Sequence, residues 1–262
     1  MNSWSRRRKR IILALVLFVL TVLVGLPAYL IFYRAPTCFD NLQNGDETGV
    51  DCGGSCQLLC TPESLPLISR GDPRVIKVAE GVFEVVALVE NPNTDAEIKA
   101  ARYSFKIYDS SSSIPIKIIE GETFVPKGAR FAIFEGPFNL EAGLVPVRAI
   151  LEWQNPGQAF QKNPAVVPEL IIKNQVLSRE DIGPRVNAVV ENPTLQSVSN
   201  IDLIALVYDE GGNVFAASKT FIDVLGAGEE ADVVFAWPKP FEKQAAEVEI
   251  IQRIFPDRSF LR

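Results

Sequence analysis

The segment Val82-Phe-Glu-Val-Val-Ala-Leu-Val-Glu-Asn-Pro92 is the most informative part of the sequence, because its last four residues return as Val190-Glu-Asn-Pro193. The two copies are 101 positions apart, and Tyr108-Asp109 returns as Tyr208-Asp209 at nearly the same offset. Landmarks that recur at one offset indicate an internal repeat. We therefore interpret the greater part of the chain as two homologous domains.

The two domains are predicted over 70–155 and 166–255, and both have the sequence pattern of β-strands. Val82–Val89 is short and dense in β-forming residues, and Arg102–Tyr108 alternates polar and apolar residues. Asn-Pro ends a strand in each copy, and Gly-, Ser- and Asp-rich turns separate the runs. About six or seven short strands per domain predict an all-β fold, two tandem immunoglobulin-like antiparallel β-sandwiches joined by a Pro/Gly linker at 154–164.

An apolar segment precedes both domains, since Ile11–Tyr33 is 23 residues without a charge. As a helix it rises about 34 Å, enough to span a hydrocarbon core of about 30 Å. Basic flanks such as Arg6–Arg10 stay in the cytoplasm. The sequence predicts a single-pass cell-membrane protein with a cytoplasmic N-terminus (1–10), a helix in the lipid bilayer (11–33) and extracytoplasmic domains. A cleaved signal peptide is the alternative, but its apolar region is usually about 7–15 residues long.

All four cysteines fall within the region 34–69, which we interpret as a cysteine-rich loop and a stalk: Cys38, Cys52, Cys56 and Cys60. Structural zinc sites usually pair cysteines closely on both sides, whereas Cys38 lies 14 positions before Cys52. The predicted topology also places the loop outside the cytoplasm, where thiols oxidise. We expect two disulfides rather than zinc, and the sequence does not choose among the three possible pairings.

The residues between the cysteines are rich in oxygen ligands for calcium: Asp40, Asn44, Asp46, Glu47 and Asp51. The loop partly matches D-x-[DN]-x-[DN]-G, but Leu42 takes the third position and Asp51, rather than Glu, the twelfth. A solvated turn rich in Asn, Gly and Asp explains the same residues. We predict no cofactor or metal, with calcium at these five residues as the alternative.

Three short motifs resemble known families. The block C-x-D-x3-N-G-x-E-T-x-V-D-C-G-G-x-C over 38–56 resembles a cysteine motif of bacterial cell-surface and secreted proteins, which implies an extracytoplasmic setting. Phe105-Lys-Ile-Tyr-Asp109 resembles the signature of the FxLYD-type domain, with Ile for Leu. Val89-Glu-Asn-Pro-Asn93 is similar to the opening of the water-stress, late-embryogenesis-abundant (WHy) sandwich. Of the FxLYD signature, the second copy keeps only the final pair, Tyr208-Asp209, in Ala205-Leu-Val-Tyr-Asp209. The resemblance implies an immunoglobulin-like sandwich without known catalysis.

The composition argues against an enzyme and against nucleic-acid binding. The chain has no histidine, the commonest general base, and no nucleophile-elbow, S-x-x-K or P-loop motif. Asp109 and Asp209 are candidates for paired catalytic acids, but each precedes a Gly- or Ser-rich turn, which favours a turn-forming carboxylate. Since the whole chain carries −6 and Arg6–Arg10 contribute +5, the rest carries −11. Such a surface repels phosphates.

The candidate binding residues are large aromatics, Phe138, Phe241 and Trp237. Core packing is typical of such side chains. Phe138 and Phe241 follow Gly-Pro and Lys-Pro, however, which favours exposed loop positions that contact a partner. We expect a non-catalytic surface or envelope protein that displays two sandwiches for interaction with a protein, the wall or a glycan. The alternative is a structural subunit of a membrane-embedded secretion or surface-appendage assembly.

Overall fold

The computed structural model describes residues 3–32, 37–110, 113–154, 156 and 159–256, and the N-terminal part is helical. Helix α1 runs over Ser3–Leu20 and α2 over Leu26–Phe32, with a π-helical turn at Thr21–Gly25 between them. The part Arg7–Tyr29 is long and apolar enough to cross a bilayer. This agrees with the apolar helix predicted over 11–33, of which Tyr33 lies outside the described residues. A membrane anchor and a signal sequence share this property.

Disulfides hold the cysteine-rich loop, as predicted. Cys38 is bonded to Cys56, with the two Cα atoms 5.6 Å apart. Cys52 and Cys60 are disulfide-bonded as well. The four sulfur atoms therefore form disulfides rather than a zinc site, and the structure selects one of the pairings that the sequence left open.

The first sandwich consists of two antiparallel sheets. In one, β3 pairs with β6 along one edge and with β2 and β1 along the other; in the second, β4 pairs with β5 and β7, and its start pairs with β8. The strands are β1 (Ile68–Ser69), β2 (Arg74–Ala79), β3 (Val82–Glu90), β4 (Ala96–Tyr108), β5 (Lys117–Val125), β6 (Arg130–Asn139), β7 (Arg148–Gln154) and β8 (Gln161–Lys162). The predicted alternation in β4 is confirmed, because Tyr103, Phe105 and Ile107 are all buried in the core between the sheets.

The second sandwich pairs its six described strands in the same order as β2–β7 of the first, without strands that correspond to β1 and β8. One sheet places β10 between β9 and β13, and the other places β11 between β12 and β14. The strands are β9 (Ile171–Ser178), β10 (Arg185–Glu191), β11 (Val198–Tyr208), β12 (Val214–Leu225), β13 (Glu230–Ala236) and β14 (Glu247–Ile254). Its core includes Leu203 and Phe235, both fully buried between the sheets.

A third apolar cluster, here called the seam, joins the two sandwiches. It consists of residues from the facing sheets of both: Ile76, Val86, Ala132, Ile204, Leu206, Ala217 and Ile251. The central strands β3 and β11 are consequently buried on both faces. A strand in that position has a nearly continuous apolar run rather than strict alternation, which explains Val85-Val-Ala-Leu-Val89 and Leu203-Ile-Ala-Leu-Val207.

The segment 57–69 is packed on the first sandwich, which corrects the predicted stalk. Leu59 and Phe160 are both buried in the first core, and the Leu59 N–H donates to the Phe160 carbonyl at 2.9 Å. The Leu65 N–H donates to Asn93 Oδ1 at 2.8 Å, and β1 continues the sheet beside β3. Because Leu59 is buried in the core, Leu67 packs against it and the backbone is bonded to the sandwich, this segment belongs to the domain. Phe160, which lies in the predicted linker, also belongs to the first domain, because its side chain is buried in the first core.

The repeated Asn-Pro motif has one structural role in both sandwiches. Asn91 and Asn192 are fully buried. The Asn91 amide donates to the carbonyls of Ala96 and Pro126, at 2.8 and 2.9 Å. The Asn192 amide donates in the same way to the carbonyls of Gln196, Leu225 and Gly226, at 2.8 to 3.1 Å. Each asparagine thus ties together two turns whose buried carbonyls have to be paired.

Candidate functional site: a groove along the seam

A groove follows the seam and widens into three cavities of about 380, 290 and 550 Å³. The first and second cavities share the lining residues Val78, Glu84, Trp237 and Pro238. The second and third share the lining residues Phe134, Gly136 and Lys219. We call the whole depression the seam groove, the first cavity its aromatic end and the third cavity its polar end.

Three rings form one wall of the aromatic end. Phe241 packs edge-to-face against Trp237 and Phe215, with ring centroids 5.1 and 5.3 Å away. The indole N–H of Trp237 donates to the Ala217 carbonyl at 2.9 Å. The backbone N–H groups of Trp237 and Phe241 are bonded to carbonyls of the loop at 180–184. These bonds hold the rings in place while Trp237 and Phe241 stay only half-buried, so a rigid apolar surface faces the cavity.

The Asp209 carboxylate orders the turn beside the aromatic end. Its Oδ1 accepts the backbone N–H groups of Gly211 and Asn213, and its Oδ2 accepts the Lys243 ammonium at 2.6 Å. The Lys243 contact, followed by the Asn213 backbone bond, lowers the Asp209 pKa to about 2. The structure therefore places Asp209 as a turn-forming carboxylate, as the sequence predicted, and Lys243 remains on the rim of the groove.

Glu84 lies where the aromatic end meets the second cavity. Burial raises the pKa of this half-buried carboxyl to about 7, from an ordinary value of 4.5. Within the part of the chain that the structure describes, the Glu84 carboxylate has no hydrogen-bond or ion-pair partner. A group of this kind accepts a hydrogen bond from a ligand when ionised and donates one when protonated.

The Glu84→Gln substitution is expected to remove a pH dependence of stability. Below a pH of about 4.5 Glu84 is protonated in both states, and above about 7 it is ionised in both. Between these values the folded protein binds more protons than the unfolded chain, so the free energy of unfolding falls as the pH rises. Urea unfolding over this pH range should show a shallower fall for Glu84→Gln than for wild type. An identical pH profile for both proteins would contradict the assignment.

The polar end contains an ion pair buried between the sandwiches. Asp202 on β11 and Arg253 on β14 have side chains only 2% and 7% exposed, with Arg253 Nη2 3.5 Å from Asp202 Oδ2. Arg253 Nη1 also reaches across the seam to Thr123 Oγ1 at 3.0 Å. Its guanidinium lies 4.5 Å from the Phe255 ring centroid and 5.4 Å from that of Phe131. Burial lowers the pKa of Arg253, and the Asp202 charge opposes that shift.

A tyrosine and its carboxylate partner form the adjoining wall. The Tyr103 hydroxyl donates to Glu135 Oε1, and burial raises the Tyr103 pKa, so the hydroxyl stays a donor. The Tyr103 ring lies over Gly121, its partner on β5. A Cβ at position 121 would lie 2.5 Å from the ring, so a larger residue there would displace the buried Tyr103 side chain.

The structure brings two of the three predicted binding residues together. Trp237 and Phe241 line the aromatic end, and Phe241 lies between β13 and β14, outside the strands, as predicted. Phe138 is not on a loop: it lies in β6 opposite Phe83, with their ring centroids 6.3 Å apart. A register shift in the β3–β6 pairing accommodates Pro137 without ending the strand.

Sequence reasoning did not identify the other lining residues of the groove. Asp202 and Arg253 are 51 positions apart and come together because β11 pairs with β14, whereas Glu84 of the first sandwich joins Phe215 of the second only because the sandwiches pack. The sequence did contain one indication of the polar end. Asp202 and Arg253 are charged residues within the strands β11 and β14, and a buried charge usually has a partner.

The carboxylates proposed as calcium ligands accept hydrogen bonds within the cysteine-rich loop itself, whereas the buried Asn44 Oδ1 has no hydrogen-bond partner among the described residues. Asp51 accepts the backbone N–H groups of Asp40 and Asn41 at 2.9 Å. Asp40 accepts the Asn44 amide, Glu47 the Asn44 backbone N–H, and Asp46 the Ser55 hydroxyl. Among the described residues, the group of three metal-type ligands within 4.8 Å is Cys38, Glu47 and Cys56, whose sulfurs are joined. Calcium at these residues stays a hypothesis.

Comparison with known proteins does not assign the chain to a family. No family model and no curated protein matches it. Among solved structures, a red sea bream transglutaminase matches with a TM-score of 0.22 and 10% identity, over 71% of this chain and 31% of that one. A β-glucuronidase from glycoside hydrolase family 2 matches with a TM-score of 0.20 and 13% identity, over 80% of this chain and 26% of that one. The chain therefore spans about a third or less of these proteins.

Proposed function

We propose that this is a non-catalytic, membrane-anchored protein that displays its two sandwiches outside the cytoplasm and binds an extended polypeptide segment in the seam groove. The observation that carries the proposal is the aromatic end, where Trp237, Phe215 and Phe241 form a fixed apolar wall beside a cavity of about 380 Å³. Binding sites typically combine such an apolar surface with a few polar groups.

The anchoring and the orientation rest on the N-terminal part of the chain. The apolar helix Arg7–Tyr29 is exposed along its length, as a helix solvated by lipid would be. The basic residues before it favour a cytoplasmic N-terminus. All four cysteines are in disulfides, which form in oxidising compartments outside the cytoplasm. Together these features support display of the sandwiches on the outer side of a membrane.

The shape and chemistry of the groove favour an extended polypeptide as the ligand. The three connected cavities form an elongated depression rather than a closed pocket. Exposed prolines, Pro238 and Pro240, flank the rings at the aromatic end. Grooves lined by aromatic rings bind Pro-rich chains, which lose little conformational entropy because they are already extended in solution. The absence of histidine in the chain agrees with binding rather than catalysis.

The Trp237→Ala substitution is expected to weaken peptide binding at least tenfold, since aromatic anchors dominate binding energy. The test uses the full chain in lipid nanodiscs, presented to an array of Pro-containing decapeptides and to a glycan array. Phe221→Ala is the matched control, because Phe221 is 56% exposed and lies outside the groove lining. Peptide binding that is lost in Trp237→Ala and kept in Phe221→Ala supports the proposal. Binding only to glycans, or peptide binding insensitive to Trp237→Ala, contradicts it.

A further inference from the structure

The polar end of the seam groove has more carboxylates than cations. Its lining residues include the acids Glu120, Glu122, Glu135 and Asp202 and the cations Lys219 and Arg253. The Arg253 guanidinium already donates to Thr123 and to the Phe124 carbonyl, and Glu122 is paired with Arg102. Glu120 is exposed and has no partner among the described residues. The cavity therefore keeps an excess of negative charge.

Asp202 supplies a second and independent observation. It lines the cavity although its side chain is only 2% exposed. Its Oδ2 faces Arg253, but its Oδ1 receives no hydrogen bond from any described residue. The nearest cation to that oxygen, Lys219 Nζ, is 3.9 Å away, which is beyond hydrogen-bond distance. A buried carboxylate oxygen without a donor is unfavourable, and a donor from a ligand would satisfy it.

The spacing of the acids favours an organic cation over a metal ion. Within the described parts of the chain, no three of these carboxylates bring their oxygens within 4.8 Å of one another, as a bound metal ion would require. An ammonium or guanidinium group carries several N–H donors and can reach acceptors that are further apart. The cavity volume of about 550 Å³ also admits a complete side chain.

We infer that the polar end of the seam groove is a binding site for a basic side chain, a lysine or an arginine, of the bound polypeptide. The inference rests on the proposed function for the identity of the chain that carries this side chain. The carboxylates of Glu120, Glu135 and Asp202 accept its N–H groups, while the aromatic end holds an apolar part of the same segment. The two ends of the groove thereby require a segment with a basic residue and an apolar residue some distance apart.

The test measures binding of hexalysine and hexaserine to the full chain in nanodiscs at low ionic strength. The variant is Glu120→Gln combined with Glu135→Gln, which removes two charges but leaves the buried Asp202–Arg253 pair intact. A glutamine at position 135 still accepts the Tyr103 hydroxyl. Glu210→Gln is the matched control, because Glu210 is an exposed glutamate outside the groove lining.

The wild type and Glu210→Gln are expected to bind hexalysine in preference to hexaserine. The double variant should lose affinity for hexalysine by about tenfold or more, since each lost charge-assisted hydrogen bond weakens binding severalfold. Equal hexalysine affinity in the double variant and the wild type would overturn the inference, as would no preference for hexalysine in the wild type. If hexalysine binding behaves as expected while Trp237→Ala affects no peptide, the basic-group site stands and the proposed function fails.

Discussion

Asp202→Ala is expected to lower the free energy of unfolding by about 3 kcal/mol, because it leaves the Arg253 guanidinium buried without its counter-charge. The Arg253 side chain is 7% exposed, and its remaining partners are the neutral oxygens of Thr123 and Phe124 and two aromatic rings. Because Thr123 and Phe124 belong to the first sandwich and Arg253 to the second, the loss should loosen the seam. Denaturant unfolding of the full chain in detergent, followed by the fluorescence of Trp153 and Trp237, measures both effects.

A double-mutant cycle separates two contributions to the loss of stability: the cost of an unpaired buried charge and the cost of lost packing. Arg253→Met should also destabilise, since it leaves Asp202 with only Lys219 at 3.9 Å. The combined variant Asp202→Ala, Arg253→Met should be less destabilised than the sum of the two, because neither buried charge is then left alone. Additive costs, or a cost below about 1 kcal/mol for Asp202→Ala, would indicate a pair that water already solvates.

Asn192→Ala is expected to destabilise the second sandwich by about 3 kcal/mol, because three carbonyls that are buried or partly buried lose the one amide group that donates to them. The amide of Asn192 bonds to Gln196, Leu225 and Gly226, and its Oδ1 accepts the Thr194 backbone N–H. Asn91→Ala should act similarly in the first sandwich, through the lost bonds to Ala96 and Pro126. Thermal unfolding, followed separately by the fluorescence of Trp153 in the first sandwich and of Trp237 in the second, would show which sandwich each substitution destabilises.

The Asn192→Asp variant tests whether the donated bonds or the shape of the side chain matter. Aspartate keeps the size of the side chain but presents oxygen to three carbonyl oxygens, so it should destabilise at least as much as alanine. The exposed amide of Gln244 serves as a control, and Gln244→Ala should change stability by less than about 0.5 kcal/mol. If Asn192→Asp destabilised the protein less than Asn192→Ala, the hydrogen bonds donated by the Asn192 amide would not be what connects the two turns.

Local patterns predicted the elements of the fold but not their packing. The alternation of β4, the Asn-Pro strand ends and the Asp209 turn are short-range features, and each is found where the sequence placed it. The seam depends on contacts between residues more than a hundred positions apart, such as Arg253 and Thr123. Its signal in the sequence was the unbroken apolar run of β3, which indicates burial on both faces but not the identity of the covering surface.

The sequence predicted only part of the candidate site. Proline before Phe241 indicated a position outside the strands, and that residue does line the groove. The same argument was wrong for Phe138, because a bulge in the pairing with β3 keeps Pro137 within a strand. The polar end was not predicted from the sequence. The partner of a buried charged residue can be identified only when it is known which strand pairs with the strand that carries it.

Display of the seam groove on the outer side of a membrane can be measured by cysteine labelling. All four native cysteines are in disulfides, so the single thiol introduced by Lys239→Cys, at the exposed rim of the aromatic end, is the reactive group. Ser5→Cys, before the apolar helix, is the control. We expect a membrane-impermeant maleimide to label the Lys239→Cys protein in intact cells and the Ser5→Cys protein only after lysis. Labelling of the Lys239→Cys protein only after lysis would contradict it.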